Sequence, residues 1–349
     1  MKLRKCGNSD LLLSELGTGC WEFGGGDYWG NQDQNDVNDV VRRSFELGIN
    51  VFDTAEMYNE GRSEEALGKA LLGIPRDRIH VISKISPSNC YPDTLVEHCE
   101  ASLKRLGTDC IDVYMIHWPV HPHSIRHFTK DEAIINNPPD VAEAFEAMVR
   151  LKDMGKIRYI GVSNFGVKRL EEAMEHCKTI VVNELPYSLL TRAIEYDVLP
   201  FCQNHHVGII GYMTMLQGIL TDLYPTLNDV PSWQRRTRHF NSKHNNLARH
   251  GEEGFEEETN ETLNAIRTIL KGCGLTMPEV AIQWAIANKA VTSVLVGARN
   301  TKELEANVKA VENPLPDDTV EKLNRATKRL MEKMGPGFDY YESKKNDRT

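Results

Sequence analysis

The chain has 349 residues and a mass of 39.6 kDa, 40% of its residues are hydrophobic, and its formal net charge is -9 with a pI of about 5.8. This size fits one α/β barrel, and the apolar content suffices for a large core. Because no basic surface can dominate such a chain, nucleic acid and anionic membranes are not expected as partners.

The N-terminal region gives no sign of export or membrane insertion. Residues 1–5 are basic but continue into a polar GNSD segment at 7–10, which does not fit a signal peptide. The longest apolar run, residues 207–220, is too short to span a bilayer and contains Gln217. We therefore expect a cytoplasmic protein whose eight scattered cysteines, without a CxxC pair, are reduced thiols.

In chain order, residues 1–13 predict a β-hairpin that turns at Gly7-Asn8 and closes the bottom of the fold. Short apolar runs then alternate with amphipathic segments. The predicted strands are residues 15–20, 50–53, 79–84, 111–117, 157–163, 180–184, 208–212 and 292–296. The predicted helices are residues 36–47, 63–72, 92–106, 140–154, 167–177, 194–205, 261–270 and 301–310.

The strands are continuous apolar runs, as in a parallel sheet that is covered on both faces. About eight alternations of strand and helix with short links predict a TIM (β/α)8 barrel of the α/β class. The whole chain, residues 1–349, is predicted to be a single domain. Its barrel core covers about 14–312, a C-terminal helix and tail cover 313–349, and a long loop follows the seventh strand.

Polar residues end three consecutive predicted strands, where TIM barrels place their chemistry. Asp53 ends the second strand, Lys84 the third and His117 the fourth, and Tyr58 follows in the loop after Asp53. We expect these four titratable groups to face one pocket.

Their chemistry is that of a proton-transfer site. Tyrosine has an ordinary pKa of about 10, and a neighbouring Lys84 ammonium is predicted to lower it. Asp53 would hold Lys84 in place, and His117 would orient the substrate oxygen. Tyr58 would then protonate an alkoxide or deprotonate an alcohol. The alternative is a plain buried Asp53–Lys84 pair with a packed core histidine, but four such groups at consecutive strand ends favour the catalytic interpretation.

The segments FDTAEMYNEGRSEEALGKAL, VISK, YMIHW, GKIRYIGVSNF and VGARNTKELEANVKA occur in this order, after an opening LRKCGNSDLLLSELGTGCW. With them, the chain resembles the aldo-keto reductases over residues 3–310, in particular the bacterial branch that includes the inositol-operon reductases. The resemblance implies an NAD(P)-dependent carbonyl reductase or alcohol dehydrogenase with Asp53, Tyr58, Lys84 and His117 as its catalytic residues. It also implies a dinucleotide that lies extended over the barrel mouth without a Rossmann domain.

The resemblance further implies where the cofactor lies. The SN pair at 163–164 would hold the nicotinamide carboxamide, and Tyr212 would stack on the ring. The segment 213–220 would follow the pyrophosphate, and residues 297–307 the adenosine end. The implied cofactor-binding residues are Ser163, Asn164, Glu184, Tyr212, Met213, Met215, Gln217, Gly218, Leu220, Gly297, Arg299, Glu303 and Asn307.

The chain departs from the family pattern at three places. Glu184 stands where the family usually has glutamine, and a carboxylate there can accept from the carboxamide but not donate. Residues 213–215 read Met-Thr-Met in place of Ser-Pro-Leu. Glu303 would repel a 2′-phosphate and bond a ribose hydroxyl, whereas Arg299 would favour the phosphate. The balance predicts NAD or NADP with a preference for NAD.

Aromatic and glycine-rich segments point to a polar substrate. The GGGDYWG segment at 24–30 lacks the GxGxxG spacing of a Rossmann loop and reads as a loop that presents Tyr28 and Trp29. Together with Trp21 and Trp118, these side chains are predicted to wall a sugar-sized pocket; the alternative is ordinary packing.

Two further clusters have competing interpretations. The histidines at 117, 121, 123 and 127 could bind a metal, but their loop lacks helical spacing, and no metal is predicted. The RRTRH segment at 235–239 would either close over cofactor phosphates or a polar substrate, or form a solvated basic patch. The acidic segment 252–258 is predicted to be a solvated face that leads into a helix.

Together, the sequence predicts a redox enzyme acting on a small sugar, polyol or glycoside. The alternative is a regulatory or partner-binding subunit that holds the cofactor with little turnover, an interpretation that only Glu184 supports. The sequence predicts no oligomeric state.

Overall fold

The computed structural model describes residues 1–341 and 349. The chain begins with an antiparallel hairpin of β1 (Leu3–Lys5) and β2 (Leu12–Ser14). Its Leu11 and Leu13 are fully buried and pack with Val51 and Val113 from the barrel interior. The predicted hairpin is thus confirmed, and its side chains fill the amino-terminal end of the barrel.

Within the described residues, eight parallel strands form a closed barrel in chain order, with the last strand paired to the first. This confirms the predicted TIM barrel. The strands are β3 (Leu16–Gly19), β4 (Val51–Asp53), β5 (His80–Ile85), β6 (Ile111–Ile116), β7 (Ile157–Ser163), β8 (Ile180–Pro186), β9 (Gly208–Tyr212) and β10 (Ser293–Gly297).

Helices cover the outside of the barrel. They are α1 (Gln34–Glu46), α2 (Arg62–Ala70), α3 (Pro92–Leu106), α4 (Pro122–Phe128), α5 (Glu132–Asn136), α6 (Val141–Asp153), α7 (Val167–His176), α8 (Val198–Asn204), α9 (Glu256–Cys273), α10 (Met277–Ala287), α11 (Thr301–Glu312) and α12 (Asp317–Met334). Among the described residues, no helix has the length and apolar character needed to cross a membrane.

Helix α10 was not predicted from the sequence. Its residues from Val280 to Ile286 are all buried, so it lacks the polar stripe that marks an amphipathic helix. A signal was nevertheless present, because Thr276 and Glu279 form a capping box at its start.

The barrel interior changes from apolar to polar along the strands. Side chains two residues apart share a face of a strand, so Val51 and Asp53 both face inward, as do Ile82 and Lys84. The carboxyl-terminal layer of the barrel therefore brings together Asp53, Lys84, His117, Glu184 and Tyr212.

Candidate active site

A cleft of about 770 Å³ opens at the carboxyl-terminal end of the barrel. Three of the predicted catalytic residues, Asp53, Tyr58 and His117, line it, and Lys84 lies beneath them, fully buried. The structure therefore places all four in one site, as parallel strands of one barrel require.

Lys84 is the centre of this site. Its Nζ lies 2.7 and 2.6 Å from the two carboxylate oxygens of Asp53, donates to the Thr54 carbonyl at 3.0 Å, and lies 3.4 Å from Glu184 Oε2. Burial alone would lower the pKa of Lys84, but the carboxyl groups of Asp53 and Glu184 more than offset it and raise the pKa above its ordinary value. Lys84 is therefore a permanent ammonium.

Tyr58 is held over Lys84 by an unusual turn after β4. Asn59, Glu60 and Gly61 all have positive φ, and the Asn59 side-chain amide donates to two carbonyls of the loop after β3. The Lys84 Nζ lies 5.1 Å from the Tyr58 ring centroid.

The expectation for the pKa of Tyr58 is corrected by its surroundings. Burial raises the pKa well above the ordinary value, and the lowering effect of Lys84 is smaller than this. The carboxyl groups of Asp53 and Glu184 raise it further. Tyr58 is thus a phenol in the cofactor-free protein, and its pKa does not fall as the sequence argument proposed.

His117 is buried beside Tyr58, with 5.5 Å between the ring centroids. Burial and the Lys84 charge lower the pKa of His117 well below its ordinary value, so the imidazole is neutral. Its buried Nδ1 has no hydrogen-bond partner among the described residues, and the Asn164 side chain holds its backbone carbonyl at 3.1 Å. A neutral imidazole in this place can exchange a hydrogen bond with a substrate oxygen.

Glu184 is a second buried carboxyl next to Lys84. Burial and the charge of Asp53 raise the pKa of Glu184 well above its ordinary value. The raised pKa favours the protonated form, which could donate as well as accept a hydrogen bond.

The predicted carboxamide and ring-stacking residues form one hydrogen-bonded chain. Tyr212 OH donates to Asn164 Oδ1 at 2.7 Å, the Asn164 amide donates to Ser163 Oγ at 3.0 Å, and Ser163 Oγ donates to the Glu184 carbonyl at 3.1 Å. All four residues line the cleft. Their polar groups are held at fixed positions before any ligand binds.

The predicted pyrophosphate segment is shaped by left-handed backbone. Met213, Gln217 and Gly218 have positive φ and line the cleft together with Met215. Leu220 differs, because its side chain is fully buried in the hydrophobic core and not at the cleft.

The predicted adenosine end also lines the cleft, at Gly297, Arg299, Glu303 and Asn307. Arg299 donates to the Asn31 carbonyl and to the Gln32 side chain at 2.6 and 2.9 Å, and its backbone N–H donates to Glu303 at 2.9 Å. The guanidinium is thus held against the loop after β3.

A buried carboxyl at this end was missed by the sequence reasoning. Glu22 lies against Gly297 so closely that a Cβ on residue 297 would be 2.5 Å from its Oε1. Burial raises the pKa of Glu22 to about 7. Its only sequence signal is its place just after the first barrel strand and Trp21.

Aromatic side chains form the other end of the cleft. Trp21, Trp29 and Trp118 line it as predicted, and Phe128, not predicted, lines it as well. Tyr28 does not line the cleft but stacks on Trp21 with 5.1 Å between ring centroids. The buried Nε1 of Trp29 has no hydrogen-bond partner among the described residues.

The long loop after β9 is ordered around its arginines. Arg238 is buried and donates to the carbonyls of Met334 and Gly337 at 3.2 and 2.9 Å, while its backbone N–H donates to the Tyr340 carbonyl at 2.8 Å. Arg236 lines the cleft. The RRTRH segment is thus neither wholly a lid nor a solvated patch, since one arginine faces the cleft and another anchors the tail.

In the described part of the chain, no group of three or more His, Cys, Asp or Glu side chains is arranged to hold a metal ion. All eight cysteines are described, and none forms a disulfide there.

Comparisons with known proteins agree with this geometry. The sequence model of the Aldo/keto reductase family matches residues 15–328. The NADH-specific methylglyoxal reductase of Escherichia coli is 29% identical over 91% of this chain and 95% of that protein. The L-glyceraldehyde 3-phosphate reductase of Escherichia coli is 27% identical over 90% of this chain and 88% of that protein. The holo form of an aldo-keto reductase from Bacillus halodurans superposes with a TM-score of 0.72 at 28% identity, over 93% of this chain and 96% of that one.

Proposed function

Because this chain belongs to the aldo/keto reductase family and is an NAD(P)-dependent oxidoreductase, we propose that it interconverts a carbonyl and an alcohol on a small sugar-like or polyol substrate, with Tyr58 as general acid and base. The observation that supports this most directly is the position of Tyr58 between a fixed ammonium, Lys84, and a neutral imidazole, His117. These groups share one cleft with the aromatic side chains.

The arrangement of these side chains defines the path of proton transfer. In reduction, the Tyr58 hydroxyl donates its proton to the developing alkoxide, and in oxidation the phenolate takes a proton from the alcohol. Lys84 stabilises the phenolate by its charge, and Asp53 keeps Lys84 in place through two contacts. His117 hydrogen-bonds the substrate oxygen and holds its carbon in reach. When bound, the nicotinamide supplies or accepts the hydride.

The cleft fits a nicotinamide dinucleotide. The Glu184 carboxyl, the Asn164 amide oxygen and the Ser163 hydroxyl oxygen offer polar atoms that match a carboxamide. Tyr212 provides a flat face beside them. Glu184 Oε2 is buried and makes no hydrogen bond among the described residues, although it lies 3.4 Å from Lys84 Nζ.

NAD is the preferred cofactor in this proposal. Glu22 and Glu303 place two carboxyl groups at the adenosine end, next to Arg299, whose side chain is already bonded to Asn31 and Gln32. A 2′-phosphate would add negative charge to this region, which costs free energy. A relative is described as NADH-specific, in agreement with this preference.

The substrate class rests on the aromatic end of the cleft. Trp21, Trp29, Trp118 and Phe128 form apolar walls, and the Trp29 Nε1 supplies an unused donor. Such walls fit the C–H faces of a small polyol. Two relatives are named for methylglyoxal and for a glyceraldehyde phosphate, both short polar carbonyls.

The test is nicotinamide absorbance with NAD and then NADP, in both directions, against sugars, polyols, short aldehydes and steroids. We expect turnover with short polar carbonyls, and Tyr58→Phe should lower kcat about 100-fold or more, the typical contribution of general acid–base catalysis. Cofactor binding, followed by tryptophan fluorescence, should survive in the variant. Steroids outperforming every sugar and aldehyde would refute the substrate class, and full activity of Tyr58→Phe would refute the role of Tyr58.

A further inference from the structure

Two carboxyl groups lie next to the Lys84 ammonium, although one carboxylate would be enough to neutralise its charge. Asp53 contacts it through both oxygens at 2.7 and 2.6 Å, whereas Glu184 approaches through one oxygen at 3.4 Å. Glu184 is fixed there by the barrel, because its residue pairs with Ser163 and Ile210 on the neighbouring strands. The barrel strands therefore hold the second carboxyl group at a fixed position in the site.

Charge counting decides which carboxyl holds a proton. One buried ammonium stabilises one buried carboxylate, and a second ionised carboxyl would be uncompensated. The two short contacts belong to Asp53, so Asp53 carries the charge and Glu184 the proton. Burial and the charge of Asp53 raise the pKa of Glu184 well above its ordinary value, in agreement with this assignment.

We propose that Glu184 is an electrostatic control residue for Tyr58: its ionisation offsets the Lys84 charge, holds Tyr58 as the phenol and suppresses alcohol oxidation at alkaline pH. This rests on the proposed role of Tyr58 as acid and base. While Glu184 is neutral, the Asp53–Lys84 pair carries no net charge, and the phenolate can form. Once Glu184 ionises, the group carries one negative charge, which opposes a second one on the Tyr58 oxygen.

We expect the other titratable groups that face Glu184 to keep their charge states; burial raises the pKa of Asp53, but its two short contacts with Lys84 oppose this. These groups are Asp53, Lys84, Tyr58 and Tyr212. Lys84 stays charged because its pKa is raised, and the pKa of Tyr212 is raised by burial, so Tyr212 stays neutral. His117, in the same cleft, stays neutral because burial and Lys84 lower its pKa. Among these groups, Glu184 is thus the one that we expect to change its charge as pH rises.

The first experiment measures the stability of the cofactor-free protein against pH for the wild type and Glu184→Gln. A carboxyl group whose pKa is raised on folding stabilises the folded state most at pH values below its unfolded-state pKa, which is about 4.3 for glutamate. This stabilisation is lost as pH rises toward the folded-state pKa. We therefore expect the smallest difference in melting temperature at about pH 4 and a growing advantage of Glu184→Gln as pH rises toward 9. A variant that is less stable than the wild type at alkaline pH would overturn the proposal, since Glu184 would then be an ionised partner of Lys84.

A matched control is Glu56→Gln, which removes a buried carboxyl outside the cleft. Glu56 accepts from the Ser86 backbone and the Asn89 side chain at 2.8 Å and lies 2.7 Å from the His98 ring. Burial would raise its pKa, but these partners outweigh burial and lower it. Glu56→Gln should therefore lose stability at neutral pH relative to acid pH, the opposite trend to Glu184→Gln.

The second experiment is the pH profile of kcat/KM for alcohol oxidation. A neighbouring charge typically shifts a pKa by one unit or more, so Glu184→Gln should exceed the wild type about tenfold or more at pH 9, after both are scaled to their values at pH 7. Glu56→Gln should follow the wild-type profile. Coincident profiles of Glu184→Gln and the wild type would overturn the proposal. A wild type without any turnover would instead refute the proposed function, and the stability curves would still decide whether Glu184 holds the proton.

Discussion

Replacing Lys84 by methionine tests the electrostatic core of the site. The side chain is fully buried, and its ammonium contacts both buried carboxyl groups, Asp53 and Glu184. Methionine keeps the length of the side chain and removes the charge. Both carboxyl groups would then lose their counter-ion in a buried place.

The magnitudes follow from this loss. Removing one partner of a buried ion pair typically costs about 3 to 5 kcal/mol of stability. Without the ammonium, no charge favours the Tyr58 phenolate, so the loss of acid–base catalysis should lower kcat by about 100- to 10,000-fold. At one tenfold change for each 1.36 kcal/mol, this is about 3 to 5 kcal/mol of transition-state stabilisation.

The stability loss caused by Lys84→Met should depend on pH in a defined direction. Uncompensated buried carboxyl groups have folded-state pKa values above their unfolded values, so their proton-bound form stabilises the fold at low pH and this contribution is lost as pH rises. The stability gap between the wild type and Lys84→Met should therefore be larger at about pH 8 than at about pH 5.

Urea unfolding at both pH values, together with steady-state reduction kinetics, measures these effects. Lys69→Met is the matched control, because Lys69 is an exposed lysine on α2. Activity of Lys84→Met within threefold of the wild type, or a stability loss equal at both pH values, would refute the reasoning.

Two further predictions concern the ends of the barrel. Leu13→Ala should destabilise the protein by about 2 to 5 kcal/mol in urea unfolding, because Leu13 is fully buried beneath the barrel, whereas Leu12→Ala, at a side chain 47% exposed, should cost about 0.5 kcal/mol or less. Equal losses for the two variants would show that the hairpin does not fill the barrel. Glu303→Arg should raise the ratio of kcat/KM with NADP to that with NAD about tenfold, equivalent to about 1.4 kcal/mol, because it replaces a repulsive charge by an attractive one. An unchanged ratio would mean that the 2′-phosphate does not approach residue 303.

The order of the elements and the location of the site were predictable from the sequence. Strand after strand is a continuous apolar run, and Asp53, Lys84 and His117 end consecutive ones, so the rule that parallel strands meet at one edge of the barrel brings them together. The N-terminal hairpin was equally predictable from its local pattern. These features depend on residues close together in the chain.

Features that depend on distant contacts were decided by the tertiary structure alone. Helix α10 is buried on all sides, so its pattern carries no amphipathic signal. Arg238 and the tail carbonyl of Tyr340 are about a hundred positions apart, and their contact could not be read from either segment.

The ionisation of the site was the other property beyond the reach of the sequence. The four groups at the strand ends were identified, but the sign of the Tyr58 pKa shift was not, because it is set by how completely the closed barrel removes water from the hydroxyl. For the same reason, the raised pKa of Glu184 follows from its burial beside Asp53, which the 3.4 Å approach of Lys84 only partly offsets. The sequence by itself determined which groups meet, and only the tertiary structure decided their charges, because desolvation and distance exist only in the folded chain.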